Sequence, residues 1–114
     1  MNKLTDFFKT ISDETRLRII ILLYHKKLCV CELCGIMEES QPKISKHLAK
    51  LRDLGYVKDE RQEQYIYYSL NLERFPMISV IEEIVRNQEA YPEIKKDILT
   101  CKKAESFLKI CKKQ

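Results

Sequence analysis

The sequence predicts a single, mainly helical domain that carries one β-hairpin. Three observations lead there. Two glycines and three prolines in 114 residues leave few tight turns, which favours helices over a many-stranded sheet or barrel. Apolar residues recur at helical spacing through most of the chain. Only the stretch from Val57 to Leu70 changes to strand-like composition and period.

The first helix covers residues 2–11, where Leu4, Phe7, Phe8 and Ile11 fall at i, i+3, i+4 and i+7. Ser12 is placed to cap a second helix, with Asp13 and Glu14 in its first turn, where the helix dipole favours anions. The nearly unbroken run Ile19-Ile20-Ile21-Leu22-Leu23 makes this the most buried helix. A short third helix starts near Cys29 to Cys31 and ends around Met37. Ser40 caps a fourth, Pro42 sits in its first turn, and Gly55 stops it. Along that helix Ile44, Leu48 and Leu51 face inward, and Ser45, Lys46, Ala49, Lys50 and Asp53 face out.

Val57 to Arg61 and Tyr65 to Leu70 read as two strands, the tyrosines supplying β propensity. Their connection, Gln62-Glu63-Gln64, has no Gly or Asn to suit a tight hairpin turn. From Glu73 the chain is helical again, with Pro76 in a first turn and Ile78, Ile81, Ile84 and Val85 as a stripe. Pro92 opens a last helix, expected to run to about Lys112, with Ile94, Ile98, Cys101, Ala104, Leu108 and Cys111 on one face. Two short helices joined by a tight turn and followed by a hairpin make a winged helix-turn-helix, with Gln41 to Leu54 as its recognition helix. Residues 1–114 form one domain. The apolar stripes of the helices near 2–11 and 76–112 exceed what so small a core can cover, which predicts a homodimer interface.

The formal charge of +4 is unevenly spread. Residues 1–39 carry six basic and six acidic side chains, whereas residues 40–52 carry four basic ones (Lys43, Lys46, Lys50, Arg52) and no acid. Residues 93–114 add seven lysines against three acids, and the acid-free basic helix at 40–52 suits a polyanion. A lysine-rich helix face is by itself often merely solvated. The hairpin behind it and the lack of acids favour double-stranded DNA. On that reading Gln41, Lys43, Ser45, Lys46, His47 and Lys50 face the groove, with Gln able to pair with an adenine edge and Lys neutralising phosphates. Lys58, Arg61 and Gln64 of the hairpin reach an adjacent groove or backbone. His47 has a structural reading beside its DNA-contacting one, and His25, near a helix end, reads as structural.

No apolar run is long enough to span a membrane, and Met1-Asn2-Lys3-Leu4-Thr5-Asp6 has no signal-peptide pattern. A cytoplasmic protein with reduced thiols is expected.

Three of the five cysteines fall in Leu28-Cys29-Val30-Cys31-Glu32-Leu33-Cys34. Free cysteines often serve only as small core residues, but these positions point in different directions. On a helix Cys31 and Cys34 lie roughly 60° apart, while Cys29 lies roughly 160° from Cys31. Three sulfurs at bond lengths of about 2.3 Å meet at one ion only if Cys29 precedes the helix or its first turn unwinds. Three thiolates without a fourth ligand suit a trigonal-pyramidal ion such as As(III) or Sb(III) better than tetrahedral Zn(II). The helix N-terminus is expected to lower the thiol pKa values, and Glu32 to be a solvated neighbour. Cys101 and Cys111 read as core packing.

These residues resemble the ArsR/SmtB family of metal-sensing repressors. The cysteine stretch looks like the arsenic-site motif of its arsenic-responsive branch, and Gln41-Pro42-Lys43-Ile44-Ser45-Lys46-His47-Leu48 like its recognition-helix signature. Asp13 to Ile19 resembles its usual second-helix opening, and the likeness is good over residues 3–75. The resemblance implies a non-enzymatic, homodimeric repressor that needs no cofactor to bind an imperfectly palindromic operator. It implies release of that operator when As(III) or Sb(III) binds Cys29, Cys31 and Cys34. Two family variants are missing: no cysteine precedes Cys29, and no histidine follows His47. The hairpin also lacks the glycine usual in the wing turn. Other functions stay open, namely a thiol redox switch on the same DNA-binding domain and a sensor of another thiophilic metal. A thiol-based arsenate reductase would need an anion-cradling loop, which Gly35 and Gly55 do not make.

Overall fold

The computed structural model describes residues 2–74 and 78–108. In chain order it holds α1 (Asn2–Ile11), α2 (Glu14–His25), β1 (Leu28–Cys29), α3 (Val30–Met37), α4 (Gln41–Asp53), β2 (Val57–Gln62), β3 (Tyr65–Leu70), α5 (Ile78–Arg86) and α6 (Pro92–Cys101). Short 3₁₀ turns follow β3, α5 and α6. The architecture is a winged helix: α3 and α4 form the helix-turn-helix, and β2–β3 the wing.

Helix α2 organises the core. Ile19, Ile20 and Leu22 are fully buried, and Leu33 of α3, Ile44, Leu48 and Leu51 of α4, and Ile81 of α5 close around them. Burial of each such side chain contributes roughly 1.5–3 kcal/mol. The cap of α2 is one residue later than the sequence suggests. Asp13 accepts from Arg16 N–H at 3.0 Å, while Ser12 donates back to Lys9 O, closing α1 instead. An aspartate is as good a cap as serine, and here it also sits beside the Arg16 guanidinium. Helix α4 starts as expected, with Ser40 Oγ accepting from Lys43 N–H at 3.4 Å and Pro42 in the first turn. Between α3 and α4 the chain turns through Glu38 at φ 55°, a left-handed residue that is not glycine. Gly55, at φ 86°, closes α4.

The wing has a two-residue turn. Gln62 pairs with Tyr65, and Glu63 takes φ 58°, the positive value a tight hairpin turn demands. A third strand, absent from the sequence reading, completes the sheet in the order β1-β3-β2. β1 is antiparallel to β3, with Leu28 opposite Tyr68 and Cys29 opposite Tyr67.

The last helix is shorter than its apolar stripe. α6 ends at Cys101, and after a turn at Lys102 and Lys103 the chain forms a 3₁₀ turn at Ala104–Phe107. The bend lays the Phe107 ring over Gly35 of α3, where a Cβ would collide with it. Ile94, Ile98, Cys101 and Ala104 are buried as the stripe requires, and Cys111 and Pro76 lie outside the described residues. In α1 Phe7 and Thr10 are buried, while Leu4 and Phe8 are exposed. No described helix is long and apolar enough to cross a membrane.

Candidate nucleic-acid interface and sulfur centre

Helix α4 presents Gln41, Lys43, Lys46 and Lys50 to solvent, with Ser45 half-buried beside them. Lys43 Nζ lies 3.1 Å from Glu39 Oε2, so its charge is partly neutralised, and no such ion pair is seen for Lys46 or Lys50 among the described residues. His47 is turned toward α2. Arg16 Nη1 lies 3.5 Å from its Nδ1, and a guanidinium only donates, so Nδ1 is the acceptor and Nε2 carries the proton. Burial holds the His47 pKa below its ordinary value, and the Arg16 charge adds to that against the opposing pull of Asp13. His25 is structural too, its Nδ1 lying 2.8 Å from Ile21 O.

In the wing Arg61 is exposed on β2 and Gln64 in the turn. The wing is not basic: residues 57–64 hold Lys58 and Arg61 against Asp59, Glu60 and Glu63. Arg52 Nη1 lies 3.2 Å from Asp59 Oδ2 and ties the end of α4 to β2. Of the two, α4 and not the wing carries the positive charge, and the wing offers single contacts rather than a charged surface.

The three motif cysteines lie on two elements. Cys29 is the last residue of β1 and the N-cap of α3, in extended conformation (φ −95°, ψ 172°). It thus precedes the helix, one of the two arrangements that the spacing demands. Cys31 and Cys34 are half-buried on successive turns of α3. Cys31 is disulfide-bonded, whereas Cys29, Cys34 and Cys101 are free. Among the described residues no three His, Cys, Asp or Glu side chains stand close enough to hold a metal ion. The donor set fits a thiophilic ion in kind; reduction of Cys31 and a movement of the sulfurs must come first.

Two features of this centre differ from the sequence reading. Glu32 is not solvated: it is 2% exposed, and its Oε1 accepts from Cys29 N–H at 3.1 Å. Residues 29 and 32 form a reciprocal capping box, with a cysteine where serine or threonine is usual. Cys29 and Cys34 are not activated either. Burial pushes the pKa of Cys29 up, the Glu32 charge adds to that, and the amides of Glu32 and Cys31 only partly oppose it. Burial and then the charge of Glu39 raise Cys34. The dipole of an eight-residue helix does not overcome desolvation at a site closed on one side by the core. Cys101 is buried, its thiol also raised by desolvation.

The comparisons with known proteins agree on one group. The profile described as "Bacterial regulatory protein, arsR family" matches residues 13–59. An arsenic resistance transcriptional regulator of Pseudomonas putida is 54% identical over 69 residues, 60% of this chain and 60% of that protein. The arsenical resistance operon repressor of Escherichia coli is 49% identical over 65 residues, 56% of each chain. The aligned part thus spans a little over half the length of these relatives. Among solved structures, reduced HlyU from Vibrio cholerae superposes with a TM-score of 0.67 at 32% identity, covering 79% of this chain and 90% of that one.

Proposed function

The chain belongs to the arsR family of bacterial regulatory proteins, and from that premise we propose that it is a homodimeric repressor which binds operator DNA through α4 and leaves it when As(III) or Sb(III) binds Cys29, Cys31 and Cys34. One observation carries the reading: the thiol-bearing helix α3 packs directly against the basic helix α4 across the turn at Glu38 to Ser40. A strained or unwound α3 cannot hold α4 at its resting angle. The names of the relatives, arsenic resistance regulators, support the choice of ion.

Once a reductant has opened the Cys31 disulfide, ion capture itself balances without a cofactor. Three thiols and one As(OH)3 give one As(SR)3 and three waters, with no oxidation or reduction. The ligand then draws Cys29, which stands outside the helix, toward Cys31 and Cys34 within it. Affinity for DNA falls by a coupling free energy that works equally in reverse, so DNA weakens ion binding by the same factor. Lys43, Lys46 and Lys50 supply the phosphate contacts, and Gln41 and Ser45 reach the bases. Arg61 and Gln64 add wing contacts, and His47 positions α4 against α2 while its Nε2–H is available to a phosphate.

The test is binding to a duplex from upstream of its own gene, under reductant, with and without arsenite. Tight, salt-sensitive binding that arsenite abolishes in the wild type, and leaves intact in Cys31→Ser, is the expected result. A Cys31→Ser protein that still leaves DNA at wild-type arsenite levels overturns the site.

The disulfide at Cys31 favours a second reading, a thiol redox switch. Two thiols give up two electrons and two protons, and peroxide is reduced to two waters. Release by peroxide without metal, reversed by reductant, would decide for it.

A further inference from the structure

Glu32 is among the largest fully buried side chains of the domain, and nothing in the metal chemistry above uses it. An unpaired carboxylate does not stay at 2% exposure without a partner that holds it. Its partner is the backbone of the cysteine three residues earlier: Glu32 Oε1 accepts from Cys29 N–H. Cys29 in turn lies opposite Tyr67 in the β1–β3 ladder, and Tyr67 lies opposite Glu60 in the β3–β2 ladder. One row of backbone therefore runs from the sulfur centre through β3 to the outer strand of the wing.

We propose that Glu32 is a positioning residue which latches Cys29 into this row, so that ion capture is read out through the wing as well as through α4. This latch rests on the repressor reading and follows from which sulfur is able to move. Cys31 and Cys34 ride on a helix anchored by buried Leu33, Ile36 and Met37. Cys29 stands outside that helix, on a strand of two residues. Gathering the sulfurs to about 2.3 Å from one ion therefore displaces Cys29, and the displacement opposes the Glu32 hydrogen bond and the pairing with Tyr67. The carboxylate sets how much of the ion's binding energy is needed to free Cys29, and β3 carries the movement to Arg61 and Gln64.

The measurement is backbone hydrogen exchange of the full reduced chain with and without arsenite, paired with arsenite titration of the DNA complex. In the wild type arsenite should speed exchange in Tyr65–Leu70 as well as in α3. Glu32→Ala should exchange fast in β1 and β3 without arsenite and release DNA at an arsenite level about tenfold lower, the scale of one lost hydrogen bond to a charged group. Glu32→Gln keeps an oxygen acceptor for Cys29 N–H and should restore near-wild-type exchange and release, which separates latching from bulk packing. If arsenite releases wild-type DNA while exchange in β3 stays unchanged, the latch is wrong and the repressor reading stands. If Glu32→Gln behaves like the alanine variant, the hydrogen bond is not what matters. A wild type that ignores arsenite altogether overturns both. Should Glu32→Ala fail to fold, the wild-type exchange and the Gln variant still decide.

Discussion

Arg18 of α2 grips both carboxylate oxygens of Asp97 on α6, Nε to Oδ2 at 2.7 Å and Nη2 to Oδ1 at 2.9 Å. The Asp97 side chain is 4% exposed and that of Arg18 15%. The same guanidinium also donates to Met37 O, the last residue of α3, at 3.4 Å. A single side chain thus joins the central helix, the last long helix and the end of the thiol-bearing helix. The bidentate geometry and the adjacent charge of Asp97 keep the guanidinium pKa above even its ordinary high value.

Removing one partner of such a pair leaves the other charge desolvated. Asp97→Ala should therefore lose about 3 kcal/mol of stability, the low end for buried pairs because Arg18 keeps some contact with water. The double variant Arg18→Leu with Asp97→Leu should recover most of that loss. Urea unfolding of the three proteins checks it. A double variant as unstable as the single would mean that the Met37 contact, not the ion pair, dominates.

The second prediction concerns Gly35. Alanine there raises helix propensity by about 1 kcal/mol, yet its Cβ meets the Phe107 ring. Overpacking of this kind costs about 1–3 kcal/mol, so the steric effect should win and Gly35→Ala should be less stable. Phe107→Ala in the Gly35→Ala background removes the collision, so the double variant should lose less than the sum of the two single losses. A protease probe should also cut the segment after Cys101 faster in Gly35→Ala than in the wild type.

These two sites show where the sequence runs out. The helices of the core were legible because Ile44, Leu48 and Leu51 repeat at 3.6-residue spacing, and all three are fully buried. The wing was legible from its tyrosines. β1 was not, because two residues carry no period, and their pairing with Tyr67 and Tyr68 is a long-range contact. Glu32 looked solvated for the same reason: its hydrogen bond goes to the N–H of Cys29, whose place at the end of β1 is set by pairing with Tyr67 almost forty residues later. The stripe from Ile94 to Leu108 fitted one continuous helix, and only the gap left by Gly35 explains why the chain bends after Cys101 to fill it. Ser12 and Asp13 are both competent caps, and the choice between them is settled by Arg16, whose backbone N–H bonds to Asp13.

On α4 the salt dependence of DNA binding should separate the lysines. Each phosphate contact contributes about 0.9 to the slope of log affinity against log salt. Lys46→Ala and Lys50→Ala should each lower that slope by about one per half-site, uniformly across operator sequences. Lys43→Ala should lower it less, because Glu39 already offsets that charge. Gln41→Ala should leave the slope alone and relax the preference among duplexes. Fluorescence anisotropy at several salt concentrations measures all four.

The last prediction concerns pH. Burial raises the thiols of Cys29, Cys34 and Cys101, so the folded chain holds these protons more tightly than the unfolded chain does. Below the ordinary cysteine value of about 8.5 both states are protonated, and the thiols contribute their full stabilisation. As pH rises past that value the unfolded chain loses its protons first, so stability falls. Under reductant the urea midpoint should therefore drop between about pH 8 and 9.5, below the range where the buried tyrosines ionise. Cys101→Ala lowers the midpoint at every pH by opening a small cavity, but the drop should become shallower, because one of the titrating groups has gone. An unchanged slope in that variant would mean that Cys101 contributes nothing to the alkaline loss, and that the desolvation attributed to its buried position on α6 is absent.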